Sequence, residues 1–156
     1  MRSTVAVATL AGLFCMFSAT FAGSTAVAAP DDNVRLVTAS GARVTGDAER
    51  TRFVIELSEG VEFGTFVLPD PNRVIIDLAN VTFDLPAEAG SSAGGVVPAW
   101  RYGQFAAGQA RVVLDVDRPV AVEHAFFLPP VADQPGRLVL DLVSTSETAF
   151  AEAVKA

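Results

Sequence analysis

The sequence predicts an all-β fold: a β-sandwich of two related short antiparallel sheets with an internal pseudo-twofold repeat. The first observation behind this is self-similarity. The run Arg73, Val74, Ile75, Ile76, Asp77, Leu78 recurs as Arg137, Leu138, Val139, Leu140, Asp141, Leu142. Phe66, Val67, Leu68, Pro69 is echoed by Phe126, Phe127, Leu128, Pro129, and Arg52, Phe53, Val54, Ile55, Glu56, Leu57 by Arg111, Val112, Val113, Leu114, Asp115, Val116. The second observation is alternation: each block sets aliphatic residues at every other position between turn-forming residues, the period of a half-buried strand. Third, no amphipathic run long enough for a core helix lies between Val34 and Ser144.

Taken in order, the chain opens with Met1 and Arg2, an apolar stretch from Val5 to Phe17, and small residues up to Ala26, Val27, Ala28. That layout predicts a signal peptide over residues 1–28, cleaved after Ala28, and export to the periplasm. A retained anchor is the competing reading, but the second half of the stretch is Ala, Gly, Ser and Thr rather than Leu or Ile. No stable membrane insertion is therefore expected after cleavage. Phe14 before Cys15 argues against a lipoprotein signal, and a lone cysteine makes no intramolecular disulfide or Cys-rich zinc site.

The domain is expected over 34–144, in halves at about 34–84 and 99–144. Val34–Thr38 and Ala42–Thr45 offer an opening strand. Turns follow at Ser58, Glu59, Gly60 and at Asp70, Pro71, Asn72. Leu85–Pro98, rich in Ala, Gly, Ser and Pro, is expected as a crossover loop. In the second half Trp100–Phe105 takes the place of the opening strand, and turns fall at Asp117, Arg118, Pro119 and over Pro129–Gly136. Residues 145–156, too short for an isolated helix, are expected as a linker stump or disordered tail.

Alternation sends Phe53, Ile55 and Leu57 inward, with Val74, Ile76, Leu78, Val112, Leu114, Val116, Leu138, Leu140 and Leu142. The opposite faces then read Arg52–Val54–Glu56, Arg73–Ile75–Asp77, Arg111–Val113–Asp115 and Arg137–Val139–Asp141. Pairing the two best strands of each half antiparallel sets Arg52 against Asp77, Glu56 against Arg73, Arg111 against Asp141 and Asp115 against Arg137. Each pair is electrostatically complementary. One reading of these faces is a solvated surface knitted by ion pairs. The other is a binding face, because guanidinium groups grip carboxylates bidentately. For the faces as a whole the second is adopted, with Arg52, Arg73, Asp77, Arg111, Arg137 and Asp141 as ligand-binding candidates. Trp100 and Tyr102 alternate onto one side of their strand and are candidates to stack on a sugar ring, the alternative being the edge of the core. Phe53, Phe63, Phe66, Phe126 and Phe127 are expected in core or hairpin packing.

With 18 acidic and 11 scattered basic residues the chain carries a formal charge of −7, which disfavours nucleic acid as a partner. One histidine, His124, cannot build a multi-histidine zinc site, and nucleophile-elbow, Cys-His and phosphate-loop signatures are missing. Neither catalytic residues nor a metal or other cofactor is expected. A glycosidase reading ranks last, because arginines opposite the carboxylates lower their pKa values whereas a general acid needs a raised one.

The leader, the two Phe-x-Leu-Pro blocks and the two Arg-to-Asp-Leu blocks resemble the AMIN domain. Gly103, Gln104, Phe105 before Arg111, and Leu128, Pro129, Pro130, Val131 before Arg137, are similar to the second half of that domain at the front of periplasmic N-acetylmuramoyl-L-alanine amidases. The resemblance implies a sandwich of two related sheets that binds peptidoglycan and helps place a cell-wall hydrolase at the division site. It maps the repeated family motifs onto Arg73–Asp77 and Arg137–Asp141. Amidases of this kind continue into a zinc domain with histidine and glutamate ligands, and nothing comparable follows Ser144. The expectation is thus a non-catalytic peptidoglycan-binding module or a truncated amidase. A protein-interaction module of a secretin or divisome complex is the alternative.

Overall fold

The structure is a computed structural model and describes residues 34–156. The expected leader, with its expected cleavage after Ala28, and Cys15 lie outside the described residues. The strands are β1 (Val37–Gly46), β2 (Arg50–Leu57), β3 (Phe63–Leu68), β4 (Arg73–Ala79), β5 (Val81–Phe83), β6 (Ala99–Ala106), β7 (Gln109–Asp115), β8 (Val120–Leu128) and β9 (Gly136–Ser144). They form two sheets, β5-β1-β2-β9-β8 and β3-β4-β7-β6. Apart from β5, which pairs with β1 in parallel, every pairing is antiparallel. The expected all-β sandwich is the observed one.

Partner choice differs from the expectation. Neither half makes a sheet of its own. The hairpin β1–β2 of the first half joins β8–β9 of the second, and β6–β7 of the second half joins β3–β4 of the first. The pseudo-twofold therefore exchanges the two sheets, with β1, β2, β9, β8 corresponding to β6, β7, β4, β3. Arg52 lies opposite Asp141 rather than Asp77, and Glu56 opposite Arg137 rather than Arg73. In the other sheet Asp77 faces Arg111 and Arg73 faces Asp115. All four central strands carry the same Arg-aliphatic-acid face, so β2 is equally complementary to β4 and to β9. Charge sets the register and leaves the partner open. The chain changes sheet after β2, β4, β5 and β7, and the crossings after β2 and β7 deliver the two hairpins of each half to different layers.

The alternation itself holds. Phe53, Ile55, Leu57, Val74, Ile76, Leu78, Val112, Leu114, Leu138, Leu140 and Leu142 are almost fully buried, and Val116 nearly so. Each such side chain contributes about 1.5–3 kcal/mol of transfer free energy. The crossover loop is not merely a connector, since Val96 and Val97 join this core. Thr51, fully buried on β2, anchors the loop. Its Oγ1 donates to the Asp47 carbonyl at 2.9 Å and accepts from the Val96 amide at 3.0 Å. At Gly95, with φ +52°, a Cβ would collide with Thr51 Oγ1, so the close approach needs glycine.

The tail also departs from expectation. Glu147–Lys155 is a helix, α1, capped by the Ser146 side chain, which accepts from the Ala149 amide at 3.2 Å. Its Phe150 is 3% exposed and belongs to the core cluster, and the helix packs against β3 and β8. Nine residues do not sustain a helix alone; docking one apolar face supplies what local propensity lacks.

Candidate functional site

Sheet register sorts the outward side chains into rows that cross the strands, and the pseudo-twofold relates each row of one sheet to a row of the other. The middle rows are Arg43–Val54–Val139–Phe126 and Arg101–Val113–Ile75–Phe66. On one side lie Thr45–Arg52–Asp141–His124 and Gly103–Arg111–Asp77–Gly64. On the other lie Gly41–Glu56–Arg137–Leu128 and Ala99–Asp115–Arg73–Leu68. Each sheet thus carries an arginine-to-phenylalanine stripe between two ionic rows.

Within the ionic rows, half of the facing charges bind each other. Arg52 donates from Nε and Nη2 to the two carboxylate oxygens of Asp141 at 2.7 and 2.9 Å. Arg111 repeats this fork on Asp77 at 2.6 and 2.9 Å. Such bidentate charge-assisted pairs are the stronger kind. Hydrogen bonding from Arg52 holds the Asp141 carboxyl below its ordinary range, against the opposing effect of burial, with its charge and those of His124 and Arg50 acting the same way. Asp77 and Asp141 raise the pKa values of Arg111 and Arg52 in turn, chiefly through the same hydrogen bonds.

The other facing pairs do not close. Glu56 turns to Arg43, with Nη1–Oε1 at 3.4 Å, and Asp115 turns to Arg101, with Nη1–Oδ2 at 2.7 Å. Arg43 and Arg101 occupy equivalent places on β1 and β6, so the turn away is a symmetric feature of the repeat. It leaves Arg73 and Arg137 as the two arginines without a carboxylate partner among the described residues. Arg73 donates to the carbonyls of Pro71 and Pro69, and Arg137 to Gln134 Oε1. Neutral acceptors orient these guanidinium groups and leave their charge uncancelled.

The expected aromatics sit elsewhere. Trp100 is 3% exposed, edge-on to Phe53 at 5.3 Å between ring centroids, with Nε1 donating to Ser92 Oγ. Tyr102 follows it inward, half-buried against Phe83, its hydroxyl near the Pro86 carbonyl. They do share one side of β6, but that side faces the core, so Trp100 drops out as a stacking platform. The opposite correction applies to Phe66 and Phe126, which are exposed on the outer faces, whereas Phe53 is core and Phe63 and Phe127 pack against it. Sequence reasoning also missed Phe105, which is exposed, with the Arg111 guanidinium 3.7 Å from its ring centroid and 5.6 Å from that of Phe66. A signal for Phe66 did exist. A four-residue turn that sets Leu68 opposite Arg73 sets Phe66 opposite Ile75, an outward position.

His124 is exposed on β8, with Nδ1 3.5 Å from Glu123 and 3.9 Å from Asp141. Among the described residues no cluster of histidine, cysteine and carboxylate side chains has the arrangement of a metal site.

These features define a class: a duplicated β-sandwich module that presents an ionic, aromatic-edged sheet face on each side. Comparison with known families makes the class specific. The chain belongs to the AMIN domain family, whose family model matches residues 41–142. It is also similar to an N-acetylmuramoyl-L-alanine amidase, AmiC, of Neisseria meningitidis serogroup B (strain ATCC BAA-335 / MC58), at 28% identity over 126 residues. That alignment takes in 78% of this chain and 30% of the amidase, so the chain spans about a third of that relative's length.

Proposed function

We propose that this chain is a non-catalytic peptidoglycan-binding module of the periplasm that targets a cell-wall activity such as an N-acetylmuramoyl-L-alanine amidase to the wall. The observation that carries the reading is the pair of uncancelled guanidinium groups, Arg73 and Arg137, on the outer faces of an AMIN domain. Stem-peptide carboxylates of the wall are their natural ligands. A general-acid role fits Asp141 poorly, because the Arg52 fork holds it ionised. The amidase relative and the leader read from the sequence support the compartment.

Co-sedimentation with purified sacculi tests the reading. The wild-type chain should pellet with sacculi, and Arg73→Ala/Arg137→Ala should pellet at least several-fold less at unchanged thermal midpoint. Equal retention of both, or of neither, would refute it. Loss of wall affinity together with in-cell crosslinking to a secretin or divisome protein would favour an interaction module instead.

A further inference from the structure

The pseudo-twofold makes the two outer faces near copies, so their differences are informative. On the face of β1-β2-β9-β8, the fork Arg52–Asp141 lies between Thr45 and His124, and the Asp141 side chain is only 6% exposed. On the face of β3-β4-β7-β6, the equivalent fork Arg111–Asp77 lies between Gly103 and Gly64. A Cβ at either glycine would find nothing within 4 Å. The Asp77 side chain is 43% exposed.

Two hollows follow from those missing side chains. One, of about 300 Å³, is bordered by Gly64, Asp77 and Gln109, and the other, of about 190 Å³, by Gly103, Phe105 and Arg111. They lie on the two sides of the fork, one against Asp77 and the other against Arg111, so the row from Gly64 to Gly103 is a shallow trough of two separate hollows with the fork between them, roughly 14 Å long at the usual strand spacing. Phe105, 59% exposed, forms its wall and stacks on Arg111.

We propose that this face, and not its pseudo-symmetric copy, is the ligand-binding surface, and that it takes a glycan–peptide unit of the wall, with a sugar ring in the trough and a stem-peptide carboxylate on Arg73. The inference rests on the peptidoglycan-binding reading above and narrows it. The fork carries no net charge and the Glu62 carboxylate borders the Gly64 hollow, so the trough suits a neutral polyol rather than an anion. Asp77 has its outward lone pairs free to accept from ring hydroxyls, and a carboxylate already oriented by Arg111 loses little freedom on doing so. Phe105 offers an apolar, rigid surface to the C–H face of a sugar. Arg73 lies four residues along β4 from Asp77 on the same outward side, about 13 Å away. It supplies the uncancelled cation that an anionic peptide branch requires. The other face offers Arg137, but Thr45 and His124 stand where the trough would be.

The discriminating variants fill the trough without touching the core. Gly64→Thr/Gly103→Thr places side chains in open space at strand positions where glycine is unfavourable, so the thermal midpoint should hold or rise. Wild type, this double variant, Arg73→Ala and Arg137→Ala are each co-sedimented with sacculi, and separately with glycan strands stripped of their stem peptides. The expected result is at least tenfold weaker retention of the glycine double variant on both materials. Arg73→Ala should lose retention on intact sacculi only, and Arg137→Ala should match wild type on both. If wild type binds sacculi and the glycine variant binds equally well, or Arg137→Ala alone loses binding, this inference falls while the broader reading stands. If wild type does not bind sacculi, both fall.

Discussion

Substituting Arg52 with alanine, alongside its symmetry mate Arg111, separates burial from pairing. Both arginines make the same two-bond fork. The carboxylates differ: the Asp141 side chain is 6% exposed and that of Asp77 is 43% exposed. Arg52→Ala leaves a buried carboxylate with no guanidinium fork, the His124 imidazole Nδ1 lying 3.9 Å away. Breaking a fully buried pair costs about 3–5 kcal/mol. Arg52 itself is half exposed, which lets water reach the site, so about 2 kcal/mol is expected. In a domain of this size that lowers the thermal midpoint by about 6–10 °C. Asp77 remains hydrated when Arg111 is lost, so that substitution should cost about 1 kcal/mol, part of it from the Phe105 stack. Urea unfolding of the three proteins at neutral pH gives the comparison. The sign of the pH dependence is fixed too. The Asp141 carboxyl is held below its ordinary value of 3.8 by Arg52, so the stability it contributes is fully present above that value and is lost as pH falls below it. The gap between wild type and Arg52→Ala should therefore close in acid. Equal losses for the two arginines, a reversed order, or a gap that widens below pH 3.8 would refute the reasoning.

Three further outcomes follow from the packing and the strand partners. A double-mutant cycle between Arg52 and Asp141 should give a coupling of about 1 kcal/mol or more, and one between Arg52 and Asp77 none, as measured by urea unfolding. Phe150→Ala should cost about 3 kcal/mol and abolish amide protection along Glu147–Lys155 in hydrogen exchange, while Ser146→Ala should cost about 1 kcal/mol. Gly95→Ala should destabilise by more than about 1 kcal/mol, through both its positive φ and the collision with Thr51, as read from the thermal midpoint.

What could be read from the sequence was whatever a strand expresses locally. Period-2 alternation separates Ile55 from Val54 or Leu140 from Val139 without reference to any partner, and the inward set emerged intact. The choice between Asp77 and Asp141 as the partner of Arg52 is not local. The repeat writes the same charge code on four strands, and which pair meets depends on where the chain changes sheets. The same limit explains the tail: Phe150 makes a helix stable only through the core it docks on. On the candidate site, the six charged residues did fall on the outer faces. Their division into two closed forks and two unpaired arginines was hidden, because it depends on Arg43 and Arg101, from the neighbouring strands, drawing off Glu56 and Asp115. Alternation puts Trp100 and Tyr102 on one side of their strand, but nothing in Trp100–Phe105 alone says that this side meets the other sheet, so the stacking role expected for Trp100 was open to correction.

The measurement that bears most directly on the account is a titration of the isotope-labelled chain with soluble muropeptides, followed by amide chemical shifts. The account predicts saturable shifts gathered on the outward row Gly64, Asp77, Arg111 and Gly103 and on Phe105 and Arg73. An unchanged spectrum at saturating muropeptide, or shifts confined to β8, β9 and α1, would contradict it.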